Sequence, residues 1–131
     1  MTTRTLVMVG AVLEATAGCA LIANPDLFAQ LLIGASLADG GIVVGRVGGF
    51  ALLSFGLACW PGKDVAPQVT LALVTYNLLV ALYVFFLGVV GGFAGYLLWP
   101  ACALHALMAL MLARPAYEQL VKGSSGSPSP A

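Results

Sequence analysis

The chain has 131 residues, of which 61% are hydrophobic and 8% are charged, and its formal net charge is zero. Its mean hydropathy of +1.04 excludes an ordinary soluble domain, and the absence of a basic surplus argues against nucleic-acid binding. The composition therefore predicts an integral membrane protein that is surrounded by membrane lipids.

Four apolar stretches are long enough to cross a bilayer, whose apolar core requires about 20 helical residues. Their apolar runs are continuous, whereas the strands of an outer-membrane barrel alternate. We therefore predict an all-α membrane protein, a four-transmembrane-helix bundle over residues 1–122, with a flexible Gly/Ser/Pro tail at 123–131. The predicted spans are about 5–23, 42–60, 67–89 and 94–113.

An alternative interpretation of the first stretch is a lipoprotein signal sequence that is removed by cleavage. It begins near Arg4 and ends in the run TAGC at 16–19, which is similar to a bacterial lipoprotein cleavage site. Thr16 stands where such sites prefer Leu, and Glu14 interrupts the apolar run. We therefore favour an uncleaved first span.

A short interfacial helix is predicted between the first two spans, at about 26–34. Asn24 is a good helix cap, and Pro25 suits the first helical position. The segment is too short to span a membrane, so we expect it to lie along the outer interface. Its apolar side chains fall on one helical face: Leu27, Phe28, Leu31 and Leu32.

The second span carries glycines at four-residue intervals, Gly41, Gly45 and Gly49. Helices in lipid associate through small residues that allow their backbones to approach closely. These glycines therefore predict a helix-packing strip, whose partner could be another helix of this chain or a second copy.

The glycine-rich segment at 88–95 predicts a tight hairpin between the third and fourth spans. Tyr96 and Trp99 mark the outer interface of the fourth span. Beyond Arg114-Pro115, we expect at most a short amphipathic turn at 116–122.

Charged residues outside the spans divide between the two sides of the four-span arrangement. Because basic residues concentrate in cytoplasmic loops, this division predicts a multi-pass protein of the bacterial cytoplasmic membrane with both termini in the cytoplasm. The basic residues on one side are Arg4, Lys63, Arg114 and Lys122, and the acidic residues on the other are Asp26 and Asp39.

Each span contains one polar side chain that lipid disfavours: Glu14, Arg46, Asn77 and His105. An ionisable group inside a membrane costs about 2.5 to 3.5 kcal/mol on insertion scales, so it normally faces the bundle interior and has a partner. With a helical rise of 1.5 Å per residue, three of these groups lie on the order of 12 to 15 Å from the cytoplasmic edge: Glu14, Asn77 and His105. Arg46 lies nearer the outer edge and joins them only if its side chain reaches inward.

Three interpretations of this polar cluster follow. In the first, a Glu14–Arg46 ion pair and an Asn77–His105 hydrogen bond fix the register of the helices. In the second, the cluster forms a pocket that binds a lipid, a quinone or another hydrophobic small molecule. In the third, Glu14 and His105 relay protons in an oligomeric transporter.

Catalysis, metal binding and cofactor binding are not predicted. One histidine and one glutamate are a weak catalytic signature, and a single histidine supplies one haem ligand. Free cysteine in such a chain usually acts as a small packing residue. The three cysteines lie in three different spans: Cys19, Cys59 and Cys102.

The runs NPDLF at 24–28, GRVGGFALL at 45–53 and LWPACALH at 98–105 resemble small four-helix bacterial membrane proteins of the DoxX-like families. The resemblance covers about residues 5–113. It implies a small membrane protein, and some members of these families are associated with redox or stress-related membrane complexes. No catalytic residue is carried over. We therefore expect a structural or accessory subunit of a larger membrane complex, or a homo-oligomer.

Overall fold

A computed structural model describes residues 1–125, which are helical apart from short connections. Four of the helices are long and apolar enough to span a membrane, and α2 is short. The predicted fold class, an all-α protein with four spans and a short helix between the first two, is confirmed. The helices are α1 (Thr3–Ala23), α2 (Pro25–Ile33), α3 (Asp39–Ala58), α4 (Pro67–Val89) and α5 (Leu98–Ser125).

The junction between α1 and α2 has the predicted caps. The side chain of Asn24 accepts a hydrogen bond from the backbone N–H of Leu27 at 3.0 Å, and Pro25 occupies the first turn of α2. Helix α2 ends at Gly34, whose φ of 73° is readily adopted only by glycine. The chain therefore turns sharply on both sides of this short helix.

Helices α1 and α3 pack with their backbones almost in contact. A Cβ atom at Gly18 would lie 2.5 Å from the backbone nitrogen of Leu53, and one at Gly49 would lie 2.9 Å from the carbonyl oxygen of Gly18. A Cβ atom at Gly56 would lie 2.7 Å from the carbonyl oxygen of Ala11. The close partner of Gly49 and Gly56 is therefore α1 of the same chain.

The three glycines of the predicted strip do not all contact the same helix. Gly45 lies against the ring of Pro25, and Gly41 lies against the side chain of Leu37. Of the three predicted glycines, only Gly49 contacts α1 closely. Gly56, two turns further along, completes the α1 interface.

Helices α4 and α5 form the second close pair, and α1 is the helix of the first pair that contacts both of them. Near the end of the bundle that carries Met1, the pairs meet in an apolar core. This core consists mainly of Leu6, Val7, Leu73, Met108 and Leu112.

The connection between α4 and α5 binds α2. The backbone N–H of Leu97 donates a hydrogen bond to the carbonyl oxygen of Leu31 at 2.8 Å. A Cβ atom at Gly95 would overlap the carbonyl group of Leu32, so the two backbones touch. Helix α2 is therefore attached to the second pair at the end of the bundle opposite Met1.

The last helix is longer than predicted. We expected a span that ends at 113 and at most a short turn at 116–122, but α5 continues through Pro115 to Ser125. Proline costs one intrahelical hydrogen bond yet retains a helical φ. Burial of Ala116 and a hydrogen bond from Gln119 Nε2 to the carbonyl oxygen of Val65, at 3.3 Å, hold the extension against the α3–α4 connection. Residues 123–125 of the predicted tail belong to α5, and the remainder lies outside the described residues.

The basic residues outside the spans lie at one end of the bundle. Arg4 Nε donates a hydrogen bond to the carbonyl oxygen of Gly62 at 3.2 Å, which brings the start of α1 to the connection that contains Lys63. The contact between Gln119 and Val65 brings the end of α5 to the same place. Asp26 and Asp39 begin α2 and α3 at the opposite end.

Candidate functional site

Three of the four predicted polar side chains lie at one level where α1 meets α4 and α5. Glu14 and Asn77 are each only 2% exposed, and His105 is half-buried. Glu14 projects from α1, Asn77 from α4 and His105 from α5. The cost of placing ionisable groups in lipid predicted this inward orientation for Glu14 and His105.

Asn77 and His105 form the predicted hydrogen bond. His105 Nδ1 lies 2.8 Å from Asn77 Oδ1, and Asn77 Nδ2 donates to the carbonyl oxygen of Leu73 at 2.9 Å. The bond to Leu73 fixes the orientation of the amide. The pair therefore fastens α4 to α5 at mid-membrane.

The predicted ion pair between Glu14 and Arg46 is wrong. Arg46 is exposed on the surface of the bundle, and within residues 1–125 it forms no hydrogen bond or ion pair. The inner face of α3 is occupied by Gly49 and Gly56, which hold the α1 backbone. Arg46 precedes Gly49 by three residues and Gly56 by ten, so its side chain is turned from that face by about 60 to 80°.

Glu14 interacts with Tyr76 instead, a residue that the sequence-based prediction did not include in the site. The Tyr76 hydroxyl is the polar group that interacts with the Glu14 carboxyl. Its ring packs against Phe55 at a centroid distance of 5.1 Å and edge-on against His105 at 6.0 Å. The available signal was a polar aromatic residue in the middle of an apolar span, directly before Asn77.

A cavity of about 530 Å³ lies between the two helical pairs, next to this polar level. Glu14, Tyr76 and His105 line one part of it. Phe28, Leu31 and Leu32 of α2 line another part, so α2 covers the outer end. The remaining wall is mainly apolar. The cavity is therefore an apolar chamber with a small polar floor, which consists of Glu14, Tyr76 and His105.

The chemistry available at the floor is hydrogen bonding. In the described part of the chain, no group of three or more His, Cys, Asp or Glu side chains is placed to hold a metal ion. Thr16, at the cavity wall, donates its hydroxyl hydrogen to the carbonyl oxygen of Val12 at 2.7 Å. The ionisable groups that face the chamber are the carboxyl of Glu14, the phenol of Tyr76 and the imidazole of His105.

The Asn77–His105 bond is expected to contribute about 1 kcal/mol to the free energy of unfolding, as hydrogen bonds between helices in membranes do. A double-mutant cycle with Asn77→Leu and His105→Leu, measured by unfolding in bicelles, isolates this coupling energy. Thr75→Val, a polar-to-apolar change on the exposed face of α4, serves as the control and should show no coupling to His105→Leu. A coupling energy of zero for the Asn77 cycle would contradict the assignment.

Comparisons with protein-family models, curated proteins and solved structures gave no match to this chain. The resemblance to the DoxX-like families therefore stays a prediction.

Proposed function

We propose that this protein binds a small hydrophobic molecule with one polar group, such as a lipid, a quinone or another membrane-soluble compound, between its two helical pairs. The observation that supports the proposal is the cavity of about 530 Å³ with apolar walls and a floor of Glu14, Tyr76 and His105. Its volume lies within the range of roughly 300 to 1,000 Å³ that is typical of small-molecule sites.

The environment of Glu14 also favours binding over a purely structural role. A buried carboxyl that only fastens helices is expected to have a cationic partner or a full set of hydrogen bonds. Arg46 is turned away, and the Tyr76 hydroxyl is a single neutral partner for a group with two oxygens. A polar group of a ligand in the cavity would form the hydrogen bonds that the Glu14 carboxyl does not form within the protein.

Filling the cavity tests the proposal. Ala101 lines the cavity, whereas Ala103, on the same helix, is exposed on the bundle surface. The protein and both variants are purified in native nanodiscs, and hydrophobic molecules that remain bound are measured by native mass spectrometry. Ala101→Phe should abolish the bound species, and Ala103→Phe should retain it. Equal occupancy in wild type and Ala101→Phe would overturn the proposal.

We further propose that the chain is a multi-pass protein of the bacterial cytoplasmic membrane with both termini in the cytoplasm. The basic end of the bundle, with Arg4, Lys63 and Arg114, supports this orientation through the positive-inside rule. An accessory role in a larger membrane complex, homo-oligomerisation and proton-coupled transport stay predictions from the sequence.

A further inference from the structure

We infer that the molecule in the cavity presents a hydrogen-bond donor to Glu14 and His105, as the hydroxyl group of an alcohol or a phenol does. The inference rests on the proposed function and specifies the chemistry of its ligand. It follows from an inventory of the polar atoms around the cavity, which have unused acceptors and committed donors.

The amide of Asn77 determines which nitrogen of the neutral His105 ring carries the hydrogen. Asn77 Nδ2 donates to the carbonyl oxygen of Leu73, so Asn77 Oδ1 is the atom that faces His105 Nδ1 at 2.8 Å. Because Oδ1 only accepts, Nδ1 carries the hydrogen and Nε2 carries a lone pair. His105 lines the cavity, and none of residues 1–125 forms a hydrogen bond with Nε2.

Glu14 supplies further acceptor capacity. Its carboxyl interacts with the Tyr76 hydroxyl, and it has two oxygens with about four acceptor positions when ionised. A neutral carboxyl keeps a carbonyl oxygen that accepts and gains one O–H donor. In either state, Glu14 has room for a second donor from the cavity.

When Glu14 is ionised, the side-chain donors around the cavity already have acceptors within the protein. The Tyr76 hydroxyl interacts with Glu14, Thr16 donates to the carbonyl oxygen of Val12, and His105 Nδ1 donates to Asn77. Backbone N–H groups in the middle of the four long helices are bonded along those helices. A ligand with only acceptors, such as an ether or an ester, would find no free side-chain donor among these groups.

A neutral hydroxyl fits this floor better than an ammonium group. Bringing a full charge to the middle of a bilayer is costly, and the described cavity wall offers a single carboxyl group to offset it. A hydroxyl carries no such cost and satisfies the acceptors. Its apolar chain would occupy the chamber beneath Phe28 and Leu32 of α2.

A matched pair of probes tests the inference on the wild-type protein in nanodiscs: para-nonylphenol, which has a donor, and its methyl ether, which has none. An unmet hydrogen bond at a buried site costs enough to weaken binding about tenfold. Native mass spectrometry should therefore show the phenol binding about tenfold more tightly than the ether. Equal affinities would overturn the inference and leave the proposed function standing. If neither probe binds wild type better than the Ala101→Phe variant, both are overturned.

A variant identifies the acceptor. His105→Phe removes Nε2 and keeps a ring beside Tyr76, so the preference for the phenol should fall severalfold. Leu107→Phe adds a ring on the exposed side of the same helix and should keep the preference of the wild type. An unchanged preference in a folded His105→Phe variant would contradict the role of His105, and the comparison of probes on wild type does not depend on this variant.

Discussion

Gly49→Ala is expected to destabilise the protein by about 3 kcal/mol, whereas Gly48→Ala should leave its stability unchanged or slightly raised. A Cβ atom at Gly49 would lie 2.8 Å from the Ile22 side chain and 2.9 Å from both the Gly18 carbonyl oxygen and the Ile22 nitrogen. Overpacking a core typically costs about 1 to 3 kcal/mol. The upper value applies because two of these neighbours are backbone atoms, which cannot change rotamer.

Gly48 is a close control because it is the preceding residue of the same helix and a Cβ atom there would meet nothing within 4 Å. Both substitutions bring the same gain in helix propensity, so their difference isolates the contact with α1. Unfolding in bicelles by steric trapping gives both free energies. Equal stabilities of the two variants would show that α1 and α3 do not approach as closely as described.

Gly95→Ala is expected to release α2 from the α4–α5 connection. The added methyl group would overlap the carbonyl group of Leu32, and separating these backbones would lengthen the hydrogen bond from Leu97 to Leu31, which is 2.8 Å long. A loss of about 1 to 3 kcal/mol of local stability corresponds to amide exchange in α2 that is roughly fivefold to a hundredfold faster. Because α2 covers the outer end of the cavity, ligand occupancy should fall as well.

Hydrogen–deuterium exchange measured by mass spectrometry on peptides that contain Pro25–Ile33 follows this release. Gly40→Ala, at the same end of the bundle, is the control because a Cβ atom at Gly40 would meet nothing within 4 Å. Faster exchange in the Gly95 variant alone is the expected result. Identical exchange in both variants would mean that α2 is held by other contacts.

Hydropathy predicted the positions of the helices well because membrane insertion depends on the length of each apolar run. It did not predict where α5 ends. Proline after an apolar span usually marks a helix end, but Pro115 is followed by residues that pack on the α3–α4 connection, with Ala116 buried and Gln119 bonded to Val65. That packing joins segments about 50 residues apart, so a local sequence pattern does not predict it.

The candidate site was predicted in part. The hydrogen bond between Asn77 and His105 could be predicted, because two polar groups at one depth on neighbouring helices have few other partners. The partner of Glu14 could not, because the choice between Arg46 and Tyr76 depends on helix rotation. In a span that is apolar all round, hydrophobicity does not fix that rotation; the glycines of α3 do, by their close fit to α1.

The helices of the α1–α3 pair pack more closely than the two pairs pack against each other. Within the α1–α3 pair, backbone lies on backbone, so that pair is stiff. Between the pairs, around the cavity, the contacts are made by side chains such as Phe55 and Tyr76. A separation of the two pairs would change the cavity volume without disturbing the helix contacts within either pair, and α2, which contacts both pairs, would oppose it.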